Sequence, residues 1–290
     1  MEAAPGDAAS TPAIEPEPEW LLPRKRQGPA HVITVVSGKG GVGKSVVVAN
    51  LAGAMAKSLG LTTAVVDLSL QYGDQALLFD APPSPSLVDV LANVDALTPE
   101  FVLDCMHHKL ENLHILAAPP SPELSDLVTP AHVHTIMDQL RVLFDVVVVD
   151  TATYLYDVTL DSIDIADHVV VVTSPYLASV KGTKLLLKLL GDLSISGGKI
   201  TAVLNRVEPE LRISFEVVEA NLKFPLSAEL PHTALPLLDS ATDGAPLTMA
   251  KPQVDFAQRV AALARRLTAG EVEEKRERQQ RKGFLRLGRP

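Results

Sequence analysis

One stretch constrains this 290-residue chain more than any other: Ser37-Gly38-Lys39-Gly40-Gly41-Val42-Gly43-Lys44-Ser45, with four glycines between Gly38 and Ser45. Before it runs Val32-Ile33-Thr34-Val35-Val36, a β-branched series without polar alternation, as in a strand buried on both faces. After it, Val46 to Leu59 is rich in alanine with leucine and methionine, which suits a helix. Gly38 to Ser45 fits G-x-x-x-x-G-K-S in the strand–loop–helix setting that gives the pattern its meaning. Glycines let backbone N–H groups converge on phosphate oxygens, and the helix aims its positive end at the same point. Gly38, Gly40, Gly41, Val42 and Gly43 are then the cradle. Lys44 is the cation for the β- and γ-phosphates, and the Ser45 hydroxyl is a ligand for Mg²⁺.

The remaining pattern predicts an α/β fold. Strands are expected at 62–67, 113–116, 146–150, 168–173, 199–204 and 225–229, and Val146-Val147-Val148-Val149-Asp150 is the plainest of them. Helices are expected at 86–93, 98–108, 130–143, 180–190, 234–240 and 254–269, with Pro130 at a helix start, where proline fits. Such alternation predicts three layers: a mostly parallel central sheet with helices on both faces. One domain is expected over 31–269. Ahead of it, 1–30 is an acidic, proline-rich tail expected to be disordered, and 270–290 is a basic tail.

Composition removes several alternatives. Hydrophobic residues form 47% of the chain, too many for a wholly disordered protein. No run approaches the ~18 apolar residues of a membrane-spanning helix, and no secretory signal opens the sequence. A single cysteine, Cys105, allows no internal disulfide and fits a reducing cytoplasm. The net charge of −9 argues against duplex DNA as a partner. Within 278–290, Arg278, Arg281, Lys282, Arg286 and Arg289 alternate with Phe284, Leu285 and Leu287. That mixture suits peripheral contact with the inner face of a membrane, or a solvated end.

A second lysine, Lys39, sits inside the loop, where phosphate cradling alone requires none. Lys39-Gly40-Gly41-Val42-Gly43-Lys44-Ser45 resembles the deviant Walker A box of the ParA/MinD P-loop ATPases. The resemblance implies that Lys39 reaches the nucleotide of a partner subunit in an ATP-dependent homodimer. Val66-Asp67-Leu68-Ser69-Leu70-Gln71-Tyr72-Gly73-Asp74 is similar to the segment after the second strand in the TadZ/CpaE branch. Leu116 to Pro120, Phe144 to Asp150, Val172 to Pro175 and Val203 to Arg206 fall where that branch has similar words. That branch implies an ATPase that places the Flp/tight-adherence pilus or secretion machinery, with assembly proteins as partners. It further implies that Asp67 and Asp150 attend Mg²⁺ and that Asn205 and Pro231 lie against the adenine. Partition or septum-site cargo, and a nucleotide-binding scaffold without hydrolysis, are the competing readings.

Two positions depart from the family pattern. Asp67 matches the first of two aspartates spaced by one residue, but Ser69 stands at the second, where the family positions the attacking water. A hydroxyl is a poor proton acceptor, and losing a positioned acid–base group costs ~10²–10⁴ in rate. Slow hydrolysis is therefore expected unless Asp74 or another carboxylate substitutes. Val46 replaces the usual hydroxyl residue after Ser45, so one α-phosphate donor is missing.

Other polar clusters carry weaker expectations. His107-His108, read as helical, would point apart, and His132 and His134 do not share a helix face, so no zinc site is expected. Cys105 reads as a buried small hydrophobe. Arg259, Arg265 and Arg266 read as the solvated face of an amphipathic helix.

Overall fold

Valine-rich runs set the architecture. In the computed structural model, which describes residues 28–206 and 213–270, eight strands form one sheet. They are β1 (His31–Val36), β2 (Thr63–Leu68), β3 (His107–Leu110), β4 (Leu113–Leu116), β5 (Val146–Thr151), β6 (His168–Thr173), β7 (Ile200–Asn205) and β8 (Leu226–Leu230). Their order is β3-β4-β2-β5-β1-β6-β7-β8, and every pairing is parallel except β3 with β4.

Period-two alternation divides the strands between two cores. Ile33, Val35, Val146 and Val148 enter one core, whereas Val32, Val36, Val147 and Val149 enter the other. The first core is roofed by α1 (Lys44–Gly53), α10 (Leu247–Ala250) and α11 (Asp255–Leu267), beside α2 (Gln75–Leu78) and α9 (Ala234–Thr242). The second is covered by α3 (Leu87–Leu91), α4 (Pro99–Asp104), α5 (Pro130–Leu143), α6 (Asp157–Asp164) and α7 (Leu177–Asp192). A satellite core under α8 (Phe215–Leu222) joins Val180, Ala202, Leu204, Val218 and Leu222. The expected three-layer α/β fold is therefore observed.

Local chemistry fixes the helix starts. Thr98 and Thr129 are N-caps accepting from the N–H groups of Phe101 and His132, each followed by proline at the first helical position. Ser86 and Asp89 cap α3 reciprocally. The expected helix over 98–108 is shorter. It stops at Asp104, and His107–Leu110 turns back as an antiparallel edge strand on β4. His107 and His108 thus lie on a strand, not a helix. The short helices α6 and α8 were not anticipated by the pattern: their β-branched content (Val158, Thr159; Val217, Val218) hides the helical period.

Among the described residues no helix is long and apolar enough to cross a membrane. Residues 1–27 and 271–290, which hold nearly all of both expected tails, lie outside the described residues.

Candidate nucleotide-binding site

The C-terminal ends of β1, β5 and β2 lie side by side, and the sequence-predicted loop leaves β1 at that edge to enter α1. Crevices at such strand ends are where open parallel sheets hold ligands. Gly41 and Gly43 adopt φ of 77° and 83°, the left-handed region in which a side chain is disfavoured. Gly38 meets α7 backbone to backbone: a Cβ on Gly38 would stand 2.2 Å from the Gly182 carbonyl carbon. Neither residue can carry a side chain without parting the loop from α7.

Lys44 is buried. Its Nζ donates to Asp150 Oδ1 at 2.8 Å and also to the Thr151 carbonyl. Asp150 is fully buried, and its other oxygen accepts from Gln75 Nε2 at 2.8 Å. Gln75 Nε2 also donates to the Ser45 carbonyl at 3.1 Å, and its backbone N–H donates to Asp67 Oδ2 at 3.0 Å. Ser69 N–H donates to Asp67 Oδ1 at 3.0 Å. One glutamine at the head of α2 therefore ties together the loop, the end of β5 and the end of β2. Its Oε1 is buried without a partner among the described residues.

Electrostatics at this edge are tense. Burial first, and then the charge of Asp150, push the Asp67 carboxyl up to about 8, against the hydrogen bonds from Gln75 and Ser69. Asp74, solvent-exposed at the N-terminus of α2, is raised by partial desolvation and by Asp150, with Lys44 opposing. Lys44 bonds Asp150 alone, so Asp67 holds its proton near neutral pH, and a divalent cation bound beside it would favour its carboxylate form.

Every predicted site residue falls at or beside this edge. Lys39 is exposed on the loop, and its ammonium has no bond to any described residue. Ser45 Oγ likewise has no bond to any described residue. Val46 turns into the seam between α1, α2 and α9, beside Leu78 and Leu237, so its missing hydroxyl is a packing choice. Asn205, buried at the end of β7, donates from Nδ2 to the Val42 carbonyl at 2.9 Å. It pairs in register with Leu230, which brings Pro231 next to it.

Gln75, Thr151 and Gly182 were invisible to sequence reasoning because each contributes through long-range contacts. Beside the site a groove of about 970 Å³ is lined by Ser69, Tyr72, Tyr154 and Tyr156, among others. All three tyrosines are largely exposed.

The weaker clusters make local contacts. His114 on β4 lies 4.8 Å from the His108 ring and 5.3 Å edge-on to Phe144, centroid to centroid. Burial, with His108 adding, depresses its imidazole to about 4. His107 Nε2 lies 2.8 Å from the Pro85 carbonyl, and His134 Nε2 lies 2.7 Å from Asp161 Oδ1. Among the described residues no three His, Cys, Asp or Glu side chains converge on a metal position. Cys105 is buried, and desolvation pushes its thiol up to about 11. Arg259 pairs with Asp255 and donates to the Glu229 carbonyl, while Arg266 donates to that of Ser227, so this basic face is bound partly to β8.

Comparison with known proteins decides the family. The model of the CobQ/CobB/MinD/ParA nucleotide binding domain matches residues 33–235. The chain belongs to this family. It is similar to the septum site-determining protein MinD of Synechocystis sp., 29% identical over 226 residues, 76% of this chain and 82% of that protein. An uncharacterized ATP-binding protein of Methanocaldococcus jannaschii is 27% identical over 84% of this chain and 90% of its own length. Among solved structures, a ParA family ATPase from Chlorobium tepidum superposes with a TM-score of 0.76 at 24% identity, covering 81% of this chain and 98% of that one. MinD from Pyrococcus horikoshii, complexed with Mg-ADP, gives 0.71 at 25% identity, covering 82% and 96%. The coarse resemblance to ParA/MinD ATPases is thereby established; none of these relatives distinguishes the TadZ/CpaE branch.

Proposed function

We propose that this MinD/ParA-family member binds ATP with Mg²⁺, dimerises in the ATP state and hydrolyses slowly, acting as a switch that positions a cellular machine. The observation that carries the reading is Lys44 held at the head of α1 between Asp150 and the Thr151 carbonyl. A phosphate entering the glycine cradle offers that lysine a stronger acceptor, which frees Asp150. The donor set fits Mg²⁺, which keeps several waters and needs only one or two carboxylates beside the phosphates. Ser45, Asp67 and Asp150 would hold it, and Gln75 Oε1 is an unused acceptor at the same place. Bound there, the metal would neutralise charge that builds on the phosphates.

This chain's own residues supply the rest. Gly38, Lys39, Gly40, Gly41, Val42, Gly43, Lys44 and Ser45 surround the phosphates, and Val46 adds only its backbone N–H. Asn205 and Pro231 approach the base. The free ammonium of Lys39 is the group available to a second copy's nucleotide. Asp67 and Lys44 flank the reacting phosphate, while Ser69 leaves the water poorly held.

For the cargo, the Asp67 to Asp74 wording supports the pilus or secretion machinery and its assembly proteins. The MinD relatives support a second reading, septum-site or partition work. Location is proposed as cytoplasmic, with peripheral membrane contact through 278–290. Size-exclusion with light scattering tests the switch: ATP–Mg²⁺ converts the parent chain to a dimer and leaves Lys39→Ala monomeric. A parent that stays monomeric contradicts it.

A further inference from the structure

A second recess lies in the seam between α7 and α8. Lys181, Lys184 and Lys188 follow one another at three- and four-residue spacing on the exposed face of α7, with Leu185 among them 61% exposed. Lys223 closes α8. With Leu187, Leu222 and Phe224 they line a groove of about 430 Å³. None of the four ammonium groups has an ion pair or hydrogen bond to a described residue. Like charges at these helical spacings repel one another. Four unpaired cations around an apolar floor are the more unusual in a chain of net charge −9.

The two halves of this surface ask for one kind of occupant. A flat bilayer or a duplex would meet the lysines but leave the recess empty. A peptide combining carboxylates with a bulky apolar residue satisfies both. Such a peptide is present in this chain: Glu15-Pro16-Glu17-Pro18-Glu19-Trp20-Leu21-Leu22. We propose that residues 15–22 occupy the α7–α8 groove of their own chain. Trp20 and the leucines lie on Leu185, Leu187, Leu222 and Phe224, and the three glutamates face the lysines. Prolines at 16 and 18 favour an extended conformation, which lowers the entropy cost of docking.

The topology puts the groove within reach. Ala30, just ahead of β1, belongs to the core against which Leu187 and Phe224 pack, so the chain enters the fold on the groove's side of the sheet. The seam covers Ala202 and Leu204 of β7, two strands from β1, about 10 Å across the sheet. Five residues separate Leu22 from Gly28, and the six steps between them span up to about 20 Å when extended. In sequence, Arg24, Lys25 and Arg26 fall between this segment and Gly28 and not within it. The docked segment would rest on the helix whose Gly182 touches Gly38 of the phosphate loop.

Trp20 is the only tryptophan, so its fluorescence reads the contact directly in the full chain. At low salt its emission is expected to be blue-shifted and several-fold protected from acrylamide, equally at every protein dilution. Lys184→Glu with Lys188→Glu should return it to the emission of exposed indole, with the fold verified by circular dichroism. Adding Glu17→Lys and Glu19→Lys should restore the shift. Water-like emission in the parent chain overturns the proposal, as does a shift that ignores both reversals. A shift that disappears on dilution places the segment on a second copy, and one that requires anionic vesicles places it on lipid; either result also overturns it.

Discussion

The centre and the edge of the sheet both bury polar side chains, and they hold them in opposite ways. At the ends of β2 and β5, Asp67, Gln75, Asp150 and Lys44 are charged or strongly polar and bonded to one another. At the β3–β4 edge, His114 is kept neutral by burial and packed between His108 and Phe144. The centre's bonds are ones a phosphate and a cation can take over. The edge offers contacts that only hold the strand in place. Burial of polar groups alone therefore does not point to a site; partners that a ligand can exchange do.

The largest effect should come from the centre. Lys44→Ala removes the only cation bonded to Asp150 among the described residues. Nucleotide affinity should fall about 100-fold or more by calorimetry, as when one partner of a buried charge pair is truncated. Unchanged affinity would make the centre as structural as the edge. A smaller change is expected from Ser69→Asp, which restores a carboxylate beside Asp67: turnover in a phosphate-release assay should rise by up to ~100-fold. No rise would show that another group, such as Asp74, already positions the water.

The edge predicts a stability effect only. Unfolded histidine titrates near 6.5, whereas folded His114 resists protonation down to about 4. The unfolded state therefore binds the extra proton, and stability is lost as pH falls through that window, at roughly 1 kcal/mol per pH unit. Urea denaturation of His114→Leu should lack this component, while its nucleotide affinity matches the parent. A variant with the parent's full acid sensitivity would break the contrast.

What the sequence revealed follows the range of the interactions. The phosphate loop and the strands are local patterns, so the layered fold was legible, and Gly38 to Ser45, Asp67 and Asp150 could be singled out as candidates. Edge strand β3 was not, because His107-His108-Lys109-Leu110 has no strand alternation and is defined by pairing with β4 across Glu111 and Asn112. Gln75 reads as an ordinary helix-start residue until the fold brings Ser45 and Asp150 to it. Gly182 sits mid-helix, where glycine is normally a cost, and only contact with Gly38 explains it. For Asn205 the structure adds a bond to Val42 that ties β7 to the loop.

Titrating the full chain with ATP in the presence of Mg²⁺ in a calorimeter, followed by a thermal melt, tests the central claim most directly. The account predicts a saturable heat with one nucleotide per chain and a higher melting temperature. No heat and an unmoved melting temperature at saturating nucleotide would contradict it.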